Sequence, residues 1–298
     1  MKVTVLGSGA PPVPQTERAG TSIAISVGDE TILLDCGHRT VQRLMENRID
    51  MTEITEVLFT HHHLDHNSGF FRFAILGWAL GRSHLNIYGP RGTTDLVKGM
   101  ETSYQEHIRS WREYGHPPDE GRGISDIETY EVDAEFTREF STCDVTALPV
   151  RHNVETVAYR IDDRQNSDSI VFSGDTGSGT GLSEFASGAD VLIHECNWIS
   201  PGTLLEMDDV AEEYLAPPFK QGYFDVLSDR LGSEPDEETA AIHSTPAQAG
   251  ETASAAGVDT LVLTHLNPYR DAGGIRQEAE DVFDGRVIVA DDSYSIEI

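Results

Sequence analysis

Glu56-Val57-Leu58-Phe59-Thr60-His61-His62-His63-Leu64-Asp65-His66 joins a short apolar run to a dense histidine–aspartate cluster. The run reads as a β-strand, and the cluster as the tight loop at its end, where functional side chains commonly sit. His61 and His63 are two positions apart and can point to one side. Asp65 and His66 then turn the chain toward a second centre. His62 has the opposite parity and is left out of the set. Imidazole and carboxylate together suit a borderline divalent ion such as zinc. One loop cannot complete two ion sites, so further ligands must come from other loops.

Three later residues repeat the same placement at the end of a strand-like run. His152 follows Leu148-Pro149-Val150-Arg151, Asp175 follows Phe172-Ser173-Gly174, and His265 follows Leu261-Val262-Leu263-Thr264. Strands are also expected at Val3 to Leu6, Thr21 to Val27, Thr31 to Leu34, Leu85 to Tyr88, Asp144 to Val150, Thr156 to Ile161, Ser169 to Ser173, Val191 to His194, Val287 to Ala290 and Ser293 to Ile298. Helical spacing marks Thr40 to Arg48, Phe70 to Leu80, Thr93 to about Trp111, and Pro246 to Ala256. Glu113 to Asp126 reads as a loop rich in Gly, Pro and acid. Strands mixed with helices in both halves predict an α/β (α+β) chain folded as an αββα sandwich of two mixed sheets. One domain over 1–298 is expected. The least patterned stretch, 200–238, reads as a lid or as an oligomer contact, which would make a homodimer.

In its order and spacing of motifs the chain resembles the metallo-β-lactamase superfamily, in its ribonuclease Z and arylsulfatase-like branch. The resemblance rests on Leu6-Gly7-Ser8-Gly9-Ala10-Pro11, Leu34-Asp35-Cys36-Gly37, Thr60 to His66, His152, Ser173-Gly174-Asp175-Thr176, Ile193-His194-Glu195, His243-Ser244-Thr245 and Leu263-Thr264-His265. It implies the metallo-β-lactamase fold and two divalent ions, zinc first, with Mn2+ or Fe2+ as alternatives. His61, His63 and His152 would hold one ion, Asp65, His66 and His265 the other, and Asp175 would bridge them. A hydroxide shared by the ions would attack an ester. Asp65 then counts as ligand and catalytic residue together. By the same resemblance His243 faces the site, binding the oxyanion or protonating the leaving group. Read from the sequence alone, its segment is also a helix start, where Ser244 or Thr245 can cap the following helix. Glu195 is a candidate for orienting a catalytic group, and Asp35 for supporting a ligand histidine.

The substrate is less directly readable. A ribonuclease Z of the bacterial and archaeal type carries a long arm between the positions of His152 and Asp175; here 162–168 leaves only a turn. Leu266-Asn267-Pro268-Tyr269-Arg270 also departs from that group's serine-containing Arg-Tyr pattern. These departures favour a small phosphodiester, sulfate or carboxylic ester, with Tyr269 and Arg270 contacting the substrate. The alternative is a tRNA 3′-processing endonuclease without the arm. A redox or purely metal-binding member is a third reading; histidine at 61, 63 and 66 speaks against the carboxylate-substituted redox relatives.

Charge bears on the partners. Asp+Glu number 51 against 21 Lys+Arg, a net charge of -30, and the lysines are Lys2, Lys98 and Lys220. Such self-repulsion is relieved in molar salt, where screening acts within about 3 Å, so a salt-rich cytoplasm is expected. Basic stripes for a large nucleic-acid footprint are missing from the pattern. Cys36, Cys143 and Cys196 form no disulfide framework and fit a reducing compartment. No apolar run is long enough to span a membrane.

Overall fold

A computed structural model of the chain describes residues 1–10, 17–115, 124, 126–198, 242–267 and 270–298. Its first half contains β1 (Lys2–Gly7), β2 (Ser22–Val27), β3 (Glu30–Leu34), α1 (Thr40–Glu46), β4 (Glu56–Leu58), α2 (Leu64–Asn67), α3 (Phe70–Ala79), β5 (Leu85–Gly89), α4 (Thr93–Ser103), α5 (Gln105–Tyr114) and β6 (Ile127–Glu131). The second half contains β7 (Thr137–Glu139), β8 (Cys143–Val150), β9 (Thr156–Asp163), β10 (Ser169–Phe172), α6 (Leu182–Phe185), β11 (Val191–Glu195), α7 (Pro246–Ala256), β12 (Thr260–Thr264), α8 (Ala272–Glu280), β13 (Arg286–Val289) and β14 (Tyr294–Glu297).

The strands form two seven-stranded sheets, ordered β14-β1-β2-β3-β4-β5-β6 and β13-β12-β11-β10-β9-β8-β7. Each is mixed: β3 through β6 pair parallel, as do β10 through β13, and the other pairs are antiparallel. Period-two alternation explains the layers. Val3, Val5, Ile23, Ile25, Ile32 and Leu34 face Val145, Tyr159, Ile161, Ile170, Ile193 and Val262 in one core between the sheets. The intervening Ala24, Leu33 and Val57 point outward to α1, α3 and α4. In the second sheet Val171, Leu192, Leu261 and Leu263 point outward to α6, α7 and α8. This is the expected αββα sandwich.

Helix α3 shows why the sequence chose this packing. Phe70, Phe73, Ala74, Gly77 and Trp78 form one buried helical stripe, and Ile75 is buried beside it. Each large side chain so enclosed contributes roughly 1.5–3 kcal/mol of burial.

Some expected elements differ. The single helix expected from Thr93 to Trp111 is two, because Tyr104 leaves helical geometry (φ -110, ψ 14) and its ring meets Phe71 at 6.0 Å. Helix α5 then continues to Tyr114, into the stretch read as a loop. Strands β6 and β7 lie at sheet edges and are mostly polar, so they lack a hydrophobic signature. Helix α8 begins Ala-Gly-Gly, a weak helix former, and is started instead by the Asp271 side chain accepting from Gly274 N at 2.9 Å. The 200–238 segment lies outside the described residues. Among the described residues no helix is long and apolar enough to cross a membrane.

The parallel strands matter most for the site. Asp35 follows β3, His61 follows β4, Asp175 follows β10, Glu195 ends β11 and His265 follows β12. Strand β8, which points the same way as β10, delivers His152. All six residues therefore gather at one edge, outside the carboxyl ends of strands.

Candidate active site

Asp35 organises the first half of the site. It has no solvent exposure and a left-handed backbone (φ 55), a conformation that aspartate tolerates better than most residues. Its Oδ1 accepts from Thr60 N at 2.8 Å, and its Oδ2 accepts from Thr60 Oγ1 at 2.8 Å and from His66 Nδ1 at 2.8 Å. Thr60 thereby spends its hydroxyl proton on Asp35. Its Oγ1 is left to accept from His61 Nδ1, 3.0 Å away. Both histidines are fixed in the tautomer that presents a bare Nε2.

His152 reaches the same state from the other sheet, donating Nδ1–H to Ile242 O at 2.7 Å. The lone pairs of His61 Nε2 and His152 Nε2 then lie 3.0 Å and 3.2 Å from His63 Nδ1. In the second group His66 Nε2 and His265 Nε2 are each 3.1 Å from Asp65 Oδ2 and 3.4 Å from each other. Asp175 lies between the groups. Its Oδ2 is 3.7 Å from His61 Nε2, 3.9 Å from His152 Nε2 and 3.4 Å from His265 Nε2, and its Oδ1 is 3.5 Å from His66 Nε2.

This donor set fits two divalent ions. Nitrogen lone pairs converging at 3.0–3.4 Å repel unless positive charge lies between them. A tetrahedral ion about 2.1 Å from each nitrogen would set its ligands about 3.4 Å apart. Asp35, Asp65, Asp175 and Glu195 are also all buried, and buried carboxylates require compensating cations. Ligand atoms of His61, His63, His152 and Asp175 lie within 4.8 Å of one another, as do those of Asp65, His66 and His265. His265 is held in a left-handed backbone (φ 54), the kind of strain that gathers at functional sites.

The electrostatics agree. Burial pushes His61 well below the usual histidine range and His152 down to about 4, so both are bases with free lone pairs. Burial also opposes charge on His66, but Asp65, Asp175 and Asp35 outweigh it and raise that group well above its ordinary value. Three carboxylates thus favour positive charge at His66, while burial disfavours it on His61 and His152.

His243 sits over the join. Its ring is 4.9 Å from that of His152 and 5.6 Å from that of His265, and Nδ1 donates to Glu195 Oε1 at 3.1 Å. Burial opposes its protonation, yet Glu195, Asp175 and Asp65 outweigh burial and bring it up to about 9. Glu195 is a hub and does not line the ion sites. Its Oε1 also accepts from Ser244 N at 2.9 Å and Thr176 N at 3.2 Å, and its Oε2 from Asn197 N at 2.8 Å. Thr245 starts α7 through a capping box with Gln248, which places the preceding histidine.

The structure brings together His61, His63, Asp65, His66, His152, Asp175 and His265, with His243 and Glu195 beside them. It does not bring Arg270 there: its guanidinium pairs with Glu278 of α8. Tyr269 lies outside the described residues. His62 turns away and contacts Thr93 Oγ1 at 2.9 Å. Thr60, Ser173 and Ser244 lie inside the quoted motifs without a site role assigned to them there. Ser173 Oγ accepts from Glu195 N at 3.1 Å, and Ser244 Oγ donates to Thr176 O at 2.8 Å.

Comparison with known proteins agrees with this geometry. A family model described as β-lactamase superfamily domain matches residues 30–266. A ribonuclease Z from Mycobacterium bovis (strain BCG / Pasteur 1173P2) is 27% identical over 305 residues, covering 100% of this chain and 98% of the relative. The crystal structure of the metallo-β-lactamase fold protein YhfI from Bacillus subtilis superposes with a TM-score of 0.70 at 22% identity, covering 99% of each chain. That of human tRNase Z, short form, does so with a TM-score of 0.64 at 23% identity, covering 100% of this chain and 99% of that one. Family match, fold and ligand geometry converge: the chain belongs to the metallo-β-lactamase superfamily and is a metal-dependent hydrolase acting on ester bonds.

Proposed function

We propose that this chain is a phosphodiesterase of the ribonuclease Z type, cutting a phosphodiester of precursor tRNA. Full-length similarity to a protein of that name carries the reading. The turn expected at 162–168 is observed at 164–168 between β9 and β10 and is too short for an arm, but its shortness does not set this chain apart from its relative. The alignment with the M. bovis ribonuclease Z spans 305 positions against 298 residues here, which leaves the relative no room for a long inserted arm. The net charge of -30 is the remaining contrary feature, and salt screening weakens it.

In this reading His61, His63 and His152 would hold one divalent ion and Asp65, His66 and His265 a second, with Asp175 between the two sets. Zinc suits the nitrogen-rich set best. Bound there, such ions would supply Lewis acidity toward water and phosphoryl oxygen. His243 carries a proton toward the leaving oxygen, and Glu195 orients that imidazole and keeps it protonated.

The test is a substrate panel in molar salt: precursor tRNA, bis-p-nitrophenyl phosphate, p-nitrophenyl sulfate and a thioester. The expected result is a single cut in the precursor tRNA near its 3′ end, lost in Asp175→Ala. Intact tRNA alongside turnover of a small ester would overturn the RNA reading in favour of the small-ester one.

A further inference from the structure

Both candidate ligand sets straddle the two sheets. His61 and His63 come from the first sheet and His152 from the second; Asp65 and His66 come from the first and His265 from the second. The spacing between sheets at this edge therefore sets the spacing within each set. The two sets are tied across the gap by different bonds. Beside the first set, Val157 N donates to Thr60 O at 3.0 Å and Tyr159 Oη donates to Phe59 O at 3.0 Å.

The second set is tied at the crossing from β13 to β14, where the chain passes from one sheet to the other. Asp292 lies in that crossing with its side chain 6% exposed. Its Oδ1 accepts from Ser8 N at 3.0 Å and Ser8 Oγ at 2.9 Å. Its Oδ2 accepts from Ala19 N at 2.7 Å, and from Arg43 Nε at 3.0 Å and Nη2 at 2.7 Å. One carboxylate thus fastens α1 and both ends of the β1–β2 connection to the chain leaving the second sheet.

The two ends of that connection lead directly to the candidate ligands. Ser8 O accepts from Leu266 N at 2.7 Å, and Ala10 N donates to Leu266 O at 3.2 Å, so the Ser8 loop grips the residue after His265 on both sides. From Ala19 the chain runs on to Thr21, whose carbonyl accepts from Gly37 N at 3.0 Å. Beside Gly37, Cys36 N donates to His66 O at 2.7 Å. Asp292 is therefore linked through short bonded paths to His265 and to His66.

From this we infer that Asp292 is a positioning residue for the Asp65, His66 and His265 set, acting on the affinity of that set and not on the other. The inference rests on the two-ion reading given above. Asp292→Asn keeps the volume but presents an amide N–H2 to backbone and guanidinium donors, so the clasp cannot close.

Zinc affinity is measured by chelator competition, with melting temperature recorded on the metal-free proteins. Wild type should bind two equivalents. In Asp292→Asn one equivalent should weaken by about 10-fold or more, the range seen when support of a ligand is lost, while the other stays unchanged. In a His265→Ala background, where only the first set remains whole, adding Asp292→Asn should change nothing. Equal weakening of both equivalents, or of neither, would overturn the inference. Fewer than two equivalents in wild type would overturn the two-ion reading and this inference with it. Should Asp292→Asn not fold, Arg43→Gln leaves the Ser8 and Ala19 bonds in place and is read in the same way, with a smaller shift in the same direction.

Discussion

Asp35 Oδ2 lies 2.8 Å from His66 Nδ1, with both side chains fully enclosed. The carboxylate fixes the imidazole tautomer and points the bare Nε2 at the second ligand set. Asp35→Asn offers an amide where two donors already point, from Thr60 and His66. Its affinity for the ion at the second set should fall roughly 10–100-fold. Chelator competition measures this, and an unchanged affinity would show that the hydrogen bond is incidental.

His243 predicts a pH dependence with a definite sign. Its pKa is raised to about 9, so below that value it holds its proton and can donate it. The proton is lost as pH rises, which gives the rate an alkaline limb. Cations bound beside it lower that pKa, so the limb in the loaded enzyme falls below about 9. Glu195→Gln removes the principal negative partner and should move the limb to lower pH with both ions retained. His243→Ala should reduce turnover by roughly 10²–10⁴-fold at unchanged metal content. A limb that stays in place in Glu195→Gln would dissociate the two residues.

Gly37 allows the loops beneath the ligands to touch backbone to backbone. A Cβ there would sit 2.1 Å from Asp65 O and 2.5 Å from Gly20 C, neither of which is a flexible side-chain end. Gly37→Ala should cost about 1–3 kcal/mol through overpacking and push Asp65 out of its set. A thermal melt and a zinc titration together check this: a lowered melting temperature and a weakened second equivalent are expected. Wild-type values for both would mean that the loop has slack.

The grouping of the candidate ligands was legible because they follow a simple physical rule. Each stands just past an apolar strand, and parallel strands in two packed sheets end at the same edge. His61, His63, Asp65 and His66 announce themselves by density. His152, Asp175 and His265 do so by position after Val150, Phe172 and Leu263. Thr60 was not legible, because its role depends on Asp35, which a whole helix and strand separate from it in the chain. Arg270, expected to contact substrate, pairs with Glu278 in the structure, a partner eight residues on that the sequence does not single out. Strands β6 and β7 escaped notice because edge strands bury little and need few apolar residues. The break at Tyr104 coincides with its ring contact to Phe71, a tertiary contact that helical spacing cannot encode.

Metal stoichiometry tests the central claim most directly. Protein purified without chelator, dialysed against metal-free buffer in molar salt and analysed by plasma mass spectrometry should retain about two equivalents of zinc or a similar divalent ion. Asp175→Ala, which removes the carboxylate shared by both sets, should retain fewer. One equivalent or none in the wild-type chain, or an Asp175→Ala variant that holds two as firmly, would contradict the account.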